Sequence, residues 1–80
     1  MLMSIEYEYE TEIESIEELK EGDRMRYKGK RKRGKLVKGT MATVTGKDYL
    51  LMAIYVKYDN MRGERIVSEP ALEDFVKVTD

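Results

Sequence analysis

Nine cationic side chains fall between Arg24 and Lys38 of this chain, namely Arg24, Arg26, Lys28, Lys30, Arg31, Lys32, Arg33, Lys35 and Lys38, and no acidic residue interrupts them. Guanidinium and ammonium groups at that density neutralise backbone phosphates, and each neutralised phosphate releases counterions. The chemistry to expect is therefore salt-sensitive contact with RNA or DNA. Gly29 and Gly34 bracket Lys30 to Arg33. A Gly-bracketed cationic run has nothing apolar to bury and reads as a loop or hairpin tip able to approach a phosphate backbone closely. Tyr27 or Tyr49 could stack on a base if exposed. No set of side chains stands out as a reader of base edges, so weak sequence preference is expected.

The opposite charge is segregated just as sharply. Met1 to Asp23 carry nine carboxylates against the single Lys20, and the formal net charge of −1 hides the two blocks. Glu6, Glu8, Glu10 and Glu12 alternate with Ile5, Tyr7, Tyr9, Thr11 and Ile13. Alternation of this kind marks a half-buried strand, with the glutamates in a row about 6.6 to 6.8 Å apart and Tyr7 and Tyr9 turned inward. Two readings of the row stand open. It pairs with Arg24, Arg26 and Lys28, which alternate in matching fashion, or it faces outward to imitate a phosphate backbone or dock on a basic partner. The alternative function is accordingly a protein-interaction adaptor or inhibitor that uses the acidic strand or a sheet edge.

Composition narrows the remaining classes. There is no His and no Cys, which removes the usual base at neutral pH, the thiolate nucleophile and the commonest zinc ligands. No nucleophile and base pair is visible either, so neither catalysis, metal, cofactor nor small-molecule substrate is expected. The first residues form neither a signal-peptide core nor an apolar run of spanning length, which leaves a soluble cytoplasmic protein without a membrane partner as the expectation. A charged fraction of 39%, no Gln and only Asn60 lie in the direction of heat-adapted proteins, while six methionines pull against it.

These groups must be positioned by one small domain spanning residues 1–80, with 4–14 as an additional acidic strand. Ser15 with Glu18 has capping-box spacing, and Gly22 suits a positive φ, so Ser15 to Gly22 reads as a short helical turn. Met25 and Tyr27 alternate with Arg24, Arg26 and Lys28 in a second strand. Leu36 and Val37 restart the apolar signal, Met41 to Thr45 alternate, and Gly46, Lys47 and Asp48 read as a tight turn. Tyr49 to Tyr58 is almost continuously apolar, the pattern of a central strand covered on both sides, with Leu50, Met52, Ile54 and Val56 deeply buried. Asp59 to Gly63 form a turn, Glu64 to Ser68 a short strand, and Pro70 to Asp74 a tight helical turn leading into Phe75 to Val78. About six short strands with no long helix predict an all-β protein, a small antiparallel barrel.

From Leu19 onward the order of pieces resembles SH3-like small barrels of the Tudor and KOW type. Leu19 to Tyr27 looks like the entry into their first barrel strand through a Gly-Asp turn. Tyr55, Val56, Lys57, Tyr58, Asp59 and Asn60 look like the hairpin between their third and fourth strands, and Leu72 to Val78 resemble the short helical turn and closing strand. The resemblance implies binding of RNA, DNA, ribosomal surfaces or modified peptide tails rather than catalysis. For the methyl-lysine-binding members it implies an aromatic cage, for which Tyr27, Tyr49, Tyr55, Tyr58 and Phe75 are the available rings, although their parity also suits core packing.

Overall fold

The parity of the apolar residues determines which side of each strand turns inward. The computed structural model describes residues 9–29 and 36–79, and among them six antiparallel strands form one sheet: β1 (Tyr9–Glu12), β2 (Arg24–Tyr27), β3 (Met41–Asp48), β4 (Ala53–Tyr58), β5 (Arg65–Ser68) and β6 (Phe75–Thr79). Their order is β1-β6-β2-β3-β4-β5. Strands β2 to β5 follow one another as a meander, and β6 returns after a 3-10 turn, Glu69–Asp74, to lie beside β2. This is a small all-β domain built on one antiparallel sheet, with β1 added outside β6. Ile5, Glu6, Tyr7 and Glu8 of the expected first strand, and Lys30, Arg31, Lys32, Arg33, Gly34 and Lys35 of the expected loop, lie outside the described residues.

The inward parity supplies the core. Met25, Tyr27, Ala42, Val44, Ile54, Val56, Tyr58, Val67 and Phe75 form one buried cluster, closed by Ile13, Ile16, Leu19, Leu36 and Leu72 from the turns. The Tyr27 and Phe75 rings meet at 5.4 Å and a tilted angle of 58°, a geometry favoured by the ring quadrupoles. Ile16 is placed by the first 3-10 turn, Ile16–Glu18, which forms because Ser15 and Glu18 complete the expected capping box. The Ser15 hydroxyl accepts from the Glu17 amide at 3.2 Å and the Glu18 carboxylate from the Ser15 amide at 3.0 Å. Gly22, with φ +95°, then turns the chain so that its amide donates to the Val44 carbonyl at 2.8 Å. A β-bulge between Val44 and Gly46 sharpens the bend of β3.

Three sequence expectations are corrected. β3 does not stop at Gly46 but runs to Asp48, and the apolar run beyond it is split: Tyr49 to Met52 make the hairpin tip, while β4 begins at Ala53. Leu50 is 93% exposed and Met52 45%, whereas Ile54 and Val56 are wholly buried. The cause is local turn chemistry. Asp48 accepts from the Leu51 amide at 3.0 Å and from the Tyr55 hydroxyl at 3.2 Å, closing the chain before the core begins. Second, β4 is covered on one face only, since Lys57 points into solvent between buried Val56 and Tyr58. Third, Tyr9 is 62% exposed rather than turned inward. β1 lies beyond the core at the sheet edge, where Tyr9 and Thr11 sit opposite Thr79 and Lys77 rather than opposite apolar residues.

A truncation pair reads this division directly. Ile54→Ala is expected to cost about 2 to 5 kcal/mol in urea unfolding, and Leu50→Ala to stay within about 0.5 kcal/mol. Equal losses at the two positions would show that the tip packs in solution.

Candidate nucleic-acid interface

Outward parity on β2 presents Arg24, Arg26 and Lys28 on one face, and each meets a carboxylate of the same molecule. Arg24 forks onto Asp59, with Nη1 donating to Oδ1 at 2.8 Å and Nη2 to Oδ2 at 2.7 Å, and Nη1 also reaches Thr43 Oγ1 at 2.7 Å. The hydrogen bond from Arg24 holds the Asp59 carboxyl below the usual carboxylate range, and the same bond raises the guanidinium's own pKa. Arg26 pairs with Glu10, and Lys28 pairs with Glu12 at 3.4 Å. The acidic row and the cationic strand do therefore meet through Glu10 and Glu12, but not as neighbouring strands. β6 runs between them, bonded to β1 on one side and β2 on the other. On this face β6 contributes Val76 and Val78, each only 9% exposed beneath the two ion pairs.

Beside these pairs opens a shallow pocket of about 350 Å3 lined by Glu10, Arg26, Tyr27, Lys28, Lys38, Gly39 and Val76. Lys28 and Lys38 are ten residues apart in sequence, and a backbone constraint unites them. Gly29 has φ +76°, and a Cβ there would sit 2.4 Å from the Lys38 Cβ, an approach that only glycine permits. The Gly39 amide donates to the Tyr27 carbonyl, and the Tyr27 amide to the Thr40 carbonyl, both at 2.9 Å. Thr40 locks the returning strand, its hydroxyl donating to the Val37 carbonyl at 2.7 Å. Lys28 and Lys38, which flank the cationic run in sequence, thus share one pocket.

Of the nine cations singled out in the sequence, the structure brings Arg26, Lys28 and Lys38 together. Arg24 is diverted to Asp59, a partner that strand alternation gave no means of finding because it lies on the far side of β3. Lys30, Arg31, Lys32, Arg33 and Lys35 lie outside the described residues, as do Glu6 and Glu8. The five rings considered for an aromatic cage are divided. Tyr27, Tyr58 and Phe75 belong to the core and line a second pocket of about 120 Å3 with Asp74. Tyr55 bonds Asp48, and Tyr49 is exposed at the hairpin tip beneath Lys47 Nζ, 5.3 Å from its ring centre. Sequence reasoning missed the exposed apolar tip Tyr49 to Met52 because its composition is that of a buried strand.

Among the described residues, no helix is long and apolar enough to cross a membrane, and no group of three or more acidic side chains is placed to hold a metal ion. Comparison of the chain with protein-family models, curated proteins and solved structures finds no match.

Two outcomes follow from this geometry. Gly29→Ala is expected to destabilise the fold by about 1 to 3 kcal/mol through strain at positive φ and the clash with Lys38, while Gly22→Ala, with no atom within 4 Å of the added carbon, tests strain alone. If the two cost the same in denaturant titration, the close approach of Lys38 is not real. The second outcome concerns acid. Asp59 is held low by Arg24, and Glu18 by the amides of Ser15 and Glu14. A carboxyl with a lowered folded pKa stabilises above its unfolded pKa, and that stability is lost as pH falls through the lowered value. The melting temperature should therefore fall below the usual carboxylate range, and Asp59→Asn should flatten that decline.

Proposed function

We propose that this chain is a non-enzymatic binding module that contacts the phosphate backbone of RNA or DNA. Arg26, Lys28 and Lys38 form the described part of the site, and Lys30, Arg31, Lys32, Arg33 and Lys35 extend it in sequence. The observation that carries this reading is the convergence of three cations on one pocket at the root of a cationic run. Val76 gives the pocket an apolar floor suited to a sugar or base edge, while the cations suit phosphate. The resemblance of Leu19 to Asp80 to Tudor- and KOW-type barrels agrees with binding rather than catalysis. A chain without cysteine also suits the reducing cytoplasm, where such polyanions are abundant.

A second reading, a protein-interaction adaptor, is favoured by the hairpin tip, where four consecutive apolar residues are exposed.

Fluorescence anisotropy with labelled single- and double-stranded oligonucleotides separates the two. With about four phosphate contacts, the log–log slope of affinity against salt should lie near −3 to −4. Replacing Lys30, Arg31, Lys32 and Arg33 together by Ser should remove most of the affinity and flatten the slope, with little change in melting temperature. Binding indifferent to these changes, or absent at low salt, would transfer the function to the adaptor reading.

A further inference from the structure

β1 contributes almost nothing to the core: all four of its residues, Tyr9 to Glu12, are exposed. What it does contribute is two carboxylates, placed on Arg26 of β2 and on Lys28 just after it, both of which border the pocket. Glu10 holds Arg26 and Glu12 holds Lys28 across the width of β6. Side chains two apart on a strand lie about 6.6 to 6.8 Å from one another, a separation close to that of successive phosphates along a nucleic-acid strand. The partners are also the right ones, since a guanidinium and an ammonium that donate to carboxylates donate to phosphate oxygens by the same charge-assisted hydrogen bonds.

We infer that Glu10 and Glu12 are an internal phosphate mimic that occupies Arg26 and Lys28 and competes with the nucleic-acid backbone for them. The inference rests on the polyanion-binding reading above and adds its regulation. Exchange needs no unfolding. Both glutamates are exposed at the sheet edge, so rotation of their side chains breaks the Glu10–Arg26 and Glu12–Lys28 pairs while β1 stays hydrogen-bonded to β6. The acidic strand thereby raises the threshold for binding: weak or isolated anions leave the ion pairs intact, and a ligand that presents several phosphates at once displaces both. Lys38 has no ion-pair partner among the described residues and offers the first contact.

The test compares two variants of equal charge. Glu10→Gln/Glu12→Gln removes the mimic, and Glu17→Gln/Glu21→Gln removes the same charge from two exposed positions between β1 and β2. Anisotropy with a labelled oligothymidylate should show the first variant binding about 2- to 30-fold more tightly than wild type, the range set by two exposed ion pairs. Its salt slope should stay near that of wild type, because the same cations contact phosphate once the carboxylates are displaced. The control should gain less and keep the wild-type slope, and adding Arg26→Gln/Lys28→Gln to the first variant should abolish the gain. If wild type binds but the two glutamine pairs behave alike, the carboxylates act only through net charge and the mimicry is refuted while the binding reading stands. If no variant binds at low salt, both fall.

Discussion

The pairing of β6 with β2 is the interaction on which the rest of the structure depends. It brings Phe75 opposite Tyr27 and Val76 opposite Arg26, so one strand closes the core on one face and supplies the apolar floor of the charged face on the other. The 3-10 turn Glu69–Asp74 makes the return possible, burying Leu72 and handing the Asp74 carbonyl to the Lys28 amide at 2.7 Å. It is also tied back to the start of the barrel, because the Glu69 carboxylate accepts from the Ile16 amide at 3.1 Å. Without β6 in place there would be neither an edge for β1 nor a surface across which its glutamates could reach the cations.

The same placement governs the electrostatics. Two strongly charged blocks that adjoin in sequence would be expected to neutralise each other wherever they touch, and exposed pairs of this kind contribute only about 0.2 to 1 kcal/mol apiece. The fold lets them meet only in part. Glu10 and Glu12 reach Arg26 and Lys28, Arg24 is taken by Asp59, and Lys77 bridges to Asp23 at 3.3 Å while donating to the Glu18 carbonyl. These pairs tie the sheet edge and the first turn to the barrel. They also leave Lys38 without an ion-pair partner among the described residues.

Much of the fold was legible because it rests on local rules. The capping box at Ser15 and Glu18, the positive φ at Gly22, the alternation of Met25 and Tyr27 and the tight turn before Phe75 each depend on a few neighbouring residues, and each formed as those residues predict. The failures share a different cause. Parity and hydrophobicity point Tyr9 and Leu50 to the interior, but parity says only which residues share a face. Whether another layer covers that face depends on where the strand lies in the sheet. At the β1 edge the core has ended, and at the β3–β4 tip Asp48 turns the chain before the core is reached.

By itself, then, the sequence determined the strand content, the positions of most turns, the inward set from Met25 to Phe75 and the existence of two opposed charged blocks, because periodicity, capping and composition are properties of contiguous residues. Only the tertiary structure decided that β6 separates the blocks, that Arg24 answers Asp59 rather than the acidic row, and that Lys28 and Lys38 share a pocket. Those outcomes depend on strand order and on a backbone contact at Gly29 that spans nine residues of chain. Charge alternation announces that an ion pair can form, but the register and order of strands distant in sequence choose its partner.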